Sequence, residues 1–225
     1  MKTLVSILKG LPNTKVIDSG IEFSKYIALD LSITNQELAI KKPDNAAEFE
    51  AFISDYLERN NAEVAYGGYI EGRNLYQRST IFKNESIPER NIHIGLDLWG
   101  KEGTTVLAPI DGKVHSFKNN EGFGDYGPTI ILEHEIENER FYTLYGHLSL
   151  ESIENLTVGT IFKKGESFAT FGNSEVNGDY APHLHFQIIN NIENYYGDYP
   201  GVCNINDLNF YIENCPDPNL LLKIT

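Results

Sequence analysis

Positive charge is what this sequence has least of. Its 225 residues carry 18 Lys and Arg against 32 Asp and Glu, a net charge of -14. Nucleic acids and anionic membranes are held by basic faces, so neither is expected as a partner. Cysteine is nearly absent. Cys203 and Cys215 lack the second pair that a zinc ribbon needs, and they read as free thiols of a reducing compartment or as one small C-terminal disulfide. Long apolar runs are missing too, so no membrane span is expected. The N-terminus opens like a signal peptide, but its apolar run stops at Lys9 and no small-x-small cleavage site comes after it. A cytoplasmic location is the expectation. No His-Glu-x-x-His helix occurs, which removes the glutamate base of that zinc-protease class. The glycine-rich stretch 121–127 lacks the Lys-Ser/Thr ending and following helix of a phosphate loop, so it reads as a turn between strands.

What is present suffices for one core, with or without an extension. Over 43–60, Phe49, Phe52, Ile53, Tyr56 and Leu57 fall at i, i+3, i+4, i+7 and i+8. That stripe predicts an amphipathic helix capped by Asp44 or Asn45 and packed on the main domain. No Gly/Ser- or Pro-rich linker separates this helix from the strand-rich region after it. Tyr66, Tyr69, Arg73, Tyr76 and Arg78 form an aromatic and basic cluster. Arg73 reads first as a surface residue stacked on Tyr69 or Tyr76, and second as a lining of a groove. From His93 to Asn190 the pattern is short strands between Gly, Pro, Asn and Asp turns: 93–98, 104–107, 112–117, 129–134, 140–148, 160–162, 167–171 and 183–189. The fold class is mainly β, an antiparallel sheet domain over 66–198. A small α-containing extension over 1–65 and a C-terminal extension over 199–225 flank it.

The chemistry concentrates in Ala181-Pro182-His183-Leu184-His185-Phe186-Gln187. As a strand it sets His183, His185 and Gln187 on one face and Leu184, Phe186 and Ile188 on the core face. In His93-Ile94-Gly95-Leu96-Asp97 the alternation again favours a strand. His93 and Asp97 then share a face, and Gly95 between them leaves room for an ion. With His185 they make a His/His/Asp set, which zinc accepts with a fourth position open, though other divalent ions also use such sets. Taken alone, His93 and Asp97 read more simply as an ordinary pair on a solvated strand face. His183 and His147 are then imidazoles beside a metal rather than on it. Zinc lowers the pKa of the water it binds to about 7, and a neutral His is matched to take such a proton. His115 and His134 have no ligand-spaced partner and read as surface or structural. Glu133 and Glu135 beside His134 read as a solvated face.

At these residues the chain resembles the lysostaphin-type, LytM-like zinc metallopeptidases. The family's His-x-x-x-Asp, Tyr-x-His-Leu and His-Leu-His-Phe appear in order as 93–97, Tyr145-Gly146-His147-Leu148 and His183-Leu184-His185-Phe186. The resemblance implies zinc on His93, Asp97 and His185, with His147 and His183 as the catalytic pair. It implies an antiparallel sheet floor with loops as groove walls, and peptide substrates with Gly-Gly or D-amino-acid bonds of the cell-wall type. Three features depart from it, one being the C-terminal run 199–218, which is not part of the family's common core. No export signal is evident, and Tyr180 stands where small residues are usual, so a narrowed groove is expected. The function expected is a zinc-dependent endopeptidase. The alternative is a metal-binding, non-hydrolytic peptide-binding or regulatory module, which would have no chemical need for both His147 and His183.

Overall fold

The computed structural model describes residues 3–74 and 88–225, so Tyr76 and Arg78 lie outside the described residues. The helices are α1 (Leu4–Gly10), α2 (Gln36–Lys41), α3 (Ala46–Arg59), α4 (Glu151–Glu154), α5 (Leu208–Asn214) and α6 (Asn219–Leu222). The strands before the central hairpins are β1 (Tyr26–Ala28), β2 (Val64–Gly67), β3 (Glu71–Gly72), β4 (Ile92–His93), β5 (Leu96–Trp99) and β6 (Thr105–Leu107). Then come β7 (Gly112–Asn120), β8 (Gly127–Ile136), β9 (Glu139–Gly146), β10 (Ile161–Phe162), β11 (Ser167–Thr170), β12 (His183–Ile189) and β13 (Val202–Cys203). An eight-stranded sheet runs in the order β1-β2-β5-β12-β9-β8-β7-β10 and is antiparallel except at β1–β2. A two-stranded sheet pairs β11 with β6, and a three-stranded one runs β13-β4-β3. No helix among the described residues is long and apolar enough to cross a membrane.

The alternation of β12 resolves as expected. Leu184, Phe186 and Ile188 enter a core with Ile130, Leu132, Phe141 and Tyr145, while His183, His185 and Gln187 face the other way. That second face is buried as well, because Tyr199, Cys203 and Cys215 of the C-terminal segment pack over it. Both cysteines are free and buried.

Helix α3 starts at Ala46. The Asn45 side chain accepts from Glu48 N (3.0 Å), and the Glu48 carboxylate accepts from Asp44 N (2.8 Å), two otherwise orphaned donors satisfied reciprocally. Its apolar stripe buries Phe49, Phe52 and Ile53 against Leu29, Ala65 and Trp99. Each such side chain contributes about 1.5–3 kcal/mol.

Residues 1–65 hold two further helices, each under two turns, too short for periodicity to register. They also hold β1 and the first half of β2, so this segment contributes to the main sheet and the 65/66 boundary falls inside β2. The run 93–98 is not one strand. It breaks at Ile94-Gly95 and passes from the three-stranded to the eight-stranded sheet. His134 is structural rather than superficial. It is buried, with Nδ1 donating to Asp111 O (2.8 Å) and Nε2 against Thr143 Oγ1 (2.7 Å). His115 is half-buried against Tyr142. Glu133 is largely covered and ion-paired with Lys113 (3.0 Å), so only Glu135 fits the solvated face.

Burial pushes His134 down from 6.5 to about 4. The unfolded chain therefore binds the extra proton first, and the contribution of neutral His134 is complete above its unfolded pKa and lost as pH falls towards the folded one. Denaturant titrations should show the stability gap between wild type and His134→Gln shrinking by about 2 kcal/mol from neutral pH to about pH 5. A gap that stays constant with pH would contradict a neutral, buried His134.

Candidate active site

Strand β12 lies between β5 and β9, so its neighbours deliver the rest of the site. Across β5, His185 faces Asp97 and His183 faces Trp99; across β9, His185 faces Gly146. His147 comes directly after β9, and His93 closes β4. Gly95 lets β4 and β12 cross: a Cβ there would lie 2.5 Å from His185 Cε1 and Nε2. The five predicted residues, His93, Asp97, His147, His183 and His185, all line one cavity of about 270 Å³. None is more than 6% exposed.

Hydrogen bonds on the far side of each ring set where its lone pair points. His93 Nδ1 donates to Gly68 O at 2.9 Å. His185 Nε2 donates to Gln187 Oε1 at 2.9 Å. The Gln187 amide is held in that sense because its Nε2 donates to Pro200 O (3.2 Å) and Cys215 Sγ (3.3 Å). The remaining nitrogens, His93 Nε2 and His185 Nδ1, stand 2.8 Å apart with their lone pairs facing. Asp97 Oδ1 lies 3.2 Å from the first and 3.3 Å from the second, buried and accepting no hydrogen bond. Two lone pairs and an anionic oxygen in such proximity repel unless a cation sits among them. Donors bound tetrahedrally at about 2.0–2.1 Å stand roughly 3.3 Å apart. Both distances to Asp97 Oδ1 match that spacing, and the two imidazole nitrogens at 2.8 Å need only part slightly, so the residues fit a divalent metal of the zinc type.

The electrostatics agree. Burial pushes the Asp97 carboxyl up, but His93 and the Arg73 guanidinium outweigh it and hold the group well below the usual carboxylate range. Burial pushes His93 and His183 down to about 4 despite Asp97. Burial, then the neighbouring His183 and His185, hold His147 well below 6.5. Neutral imidazole is the form that ligates a metal or accepts a proton.

His147 and His183 form the second pair. Their Nδ1 atoms donate to Asn177 O and Ala181 O, each at 2.8 Å. Both Nε2 lone pairs thus turn to the cavity, with the rings 4.2 Å apart. His147 sits at φ 62°, a left-handed conformation uncommon outside glycine, which places its ring toward the metal ligands. His183 stacks on Trp99 at 3.9 Å. Tyr180 lies edge-on to His147 at 5.0 Å, and its hydroxyl donates to Gly124 O (3.0 Å), bridging two walls of the cavity.

Of the two readings of Arg73, the structure bears out the second: it lines the cavity and is not an exposed, stacked residue. It is 2% exposed and ion-paired with the buried Asp97 and the partly buried Glu71, because a carboxylate taken out of water requires a cation. The stretch 121–127 is more than a turn: Gly124, Asp125 and Tyr126 line the cavity, and the Tyr126 hydroxyl lies 3.4 Å from His185 Nε2. Gln187 received no role from the sequence, although its place on the face of His185 was the available signal. For Trp99 no local signal exists, and for Arg73 the sequence offered a place at the groove but not its pairing with Asp97.

Zinc at about 100 times its Kd should stabilise the protein by about 2.7 kcal/mol, read as a raised melting temperature. Gly95→Ala, which forces His185 aside, should weaken zinc binding ~10–100-fold in a chelator competition. Unchanged affinity in that variant would remove His185 from the ligand set.

Comparison with known proteins bears on the same residues. Residues 91–196 match the model of peptidase family M23. A protein of Haemophilus influenzae described as an uncharacterized metalloprotease is 35% identical over 95 residues, 42% of this chain and 18% of its own length. The chain thus spans under a fifth of that curated relative. The catalytic domain of the antimicrobial peptidase lysostaphin from Staphylococcus simulans aligns with TM-score 0.39 and 24% identity over 75% of this chain and 98% of that one. A zinc-containing peptidase from Vibrio cholerae aligns with TM-score 0.35 and 27% identity over 48% of this chain and 30% of that one. Residues 91–196, the segment similar to peptidase family M23, hold all five of the predicted site residues.

Proposed function

We propose that the chain is a zinc-dependent endopeptidase that hydrolyses an amide bond in a short or cell-wall-type peptide. One observation carries this reading: three inward-facing donor atoms and two further neutral imidazoles open onto a single cavity. A site that only held a metal would not need the second pair.

His93, Asp97 and His185 would hold the ion. When bound, zinc supplies a Lewis acid that polarises the scissile carbonyl and makes water nucleophilic near neutral pH. The chain supplies the proton traffic. His147 and His183 each hold Nδ1–H on a carbonyl, so each presents Nε2 as an acceptor. With rings 4.2 Å apart, two imidazolium charges would repel strongly, so the pair carries one proton at a time. The neutral ring takes the proton of the attacking water, and the ring that is protonated donates to the oxyanion or the leaving amine. The carbonyls of Asn177 and Ala181 fix both tautomers and so both directions of transfer. The tyrosine walls, Tyr126 and Tyr180, shed bulk water from the reacting bond.

The match to peptidase family M23 supports a peptide as substrate, and the resemblance of the motifs to the lysostaphin type supports Gly-Gly or D-amino-acid bonds. A mass-spectrometric digest of a mixed panel of Gly-Gly, D-Ala-containing and ordinary L-peptides tests both points. The zinc-loaded protein should cleave one bond class. His147→Ala should lose ~10²–10⁴-fold in turnover while retaining zinc. Zinc lost with His147 would place that residue among the ligands, and a panel left intact by zinc-loaded wild type would favour the non-hydrolytic binding module.

A further inference from the structure

Arg73 lies outside the family-matched segment yet reaches the metal donors. β3 pairs with β4 in the register Glu71–His93 and Gly72–Ile92, and Arg73 N donates to Asn91 O at 2.8 Å. The side chain then runs inward beneath His93. Arg73 Nη1 donates to Asp97 Oδ2 at 2.6 Å, and Nε donates to Glu71 Oε2 at 2.6 Å. Glu71 is itself anchored, its Oε1 accepting from Leu31 N at 3.1 Å. The backbone makes room for this arrangement at Gly68. A Cβ there would lie 2.1 Å from Arg73 Nη2 and 2.8 Å from His93 Nδ1, and φ is +104°. Only glycine satisfies both demands.

The two oxygens of Asp97 are thereby made unlike. Oδ2 is engaged by a guanidinium that stays charged at any working pH, whereas Oδ1 accepts no hydrogen bond and faces His93 and His185. A carboxylate with both oxygens available can grip one metal ion through both, and that takes up coordination space a hydrolytic site needs. We propose that Arg73 is a positioning residue that restricts Asp97 to a one-oxygen ligand, keeping the metal at three protein donors. The proposal rests on the metal-site reading above. Charge alone does not explain the arrangement. Glu71 offsets the charge of Arg73, so the pair adds no net charge beside the metal site, and the guanidinium's hydrogen bond gives Asp97 a direction.

That neutrality supplies the test. The double variant Glu71→Gln, Arg73→Met removes the clamp without altering net charge, and Arg73→Lys keeps a cation beside Oδ2. Cobalt(II) replaces zinc as the probe, since its visible absorption is strong in four-coordinate sites and weak when coordination expands. Wild type and Arg73→Lys should show the strong bands. The double variant should bind cobalt but lose about half or more of that intensity, as a second Asp97 oxygen joins the metal. Its peptidase turnover should fall while zinc affinity in a chelator competition holds or rises, the reverse of a merely structural defect. Equal spectra in all three proteins would overturn the proposal, and so would outright loss of metal in the double variant. Should the double variant fail to fold by far-ultraviolet circular dichroism, Arg73→Gln replaces it with the same expected loss. Wild type that binds no cobalt or zinc would instead bring down the metal-site reading itself, a result separable from every other.

Discussion

Asp97 sits directly across from His185 on the β5–β12 ladder, and the whole site depends on that register. Side chains alternate along a strand, so a slip of one residue would turn His183, His185 and Gln187 into the core and bring Leu184 and Phe186 to the cavity. The slip is blocked from both sides. Leu184, Phe186 and Ile188 fill the main core, and β9 pins the opposite edge of β12 over five residues. Hydrophobic packing thus decides where two imidazoles point, although no imidazole takes part in that packing.

A cluster this polar is costly to bury. Four histidines, one aspartate and one arginine lie almost wholly out of water. The fold offsets the desolvation by giving each ring one fixed partner on its outer side, three of them backbone carbonyls and one the Gln187 amide. Three of those partners, Asn177, Ala181 and Gln187, come from the approach to β12 and from β12 itself, and the fourth, Gly68, comes from far up the chain. The pull of these outer bonds orients the inner lone pairs, which makes the surroundings of the site as much a part of its chemistry as the site itself.

Much of this was legible in the sequence because it is local. The alternation in 183–189, the His-x-x-x-Asp spacing and the apolar stripe of α3 each declare themselves within a few residues. What escaped is contact between segments with no periodic trace. Arg73 read as a surface residue because nothing near it announces Asp97. The stretch 121–127 read as a simple turn because a glycine-rich loop looks alike whether it faces solvent or closes a cavity. The run 93–98 read as one strand because alternation continues through Gly95, while the crossing with His185 that breaks it is a three-dimensional constraint. The short helices and strands of the first 65 residues fell below the length at which a pattern separates from chance.

Helix α3 touches the site through an aromatic relay: Phe49 packs on Trp99 at 5.4 Å, and Trp99 stacks on His183 at 3.9 Å with their planes 16° apart. Trp99 is also the sole tryptophan of the chain. The protein's tryptophan fluorescence, excited apart from its 13 tyrosines, therefore originates against one imidazole of the cavity. Protonated imidazole quenches an indole that it stacks upon, so light emitted at that one position reports the charge of His183 during turnover, with no label attached.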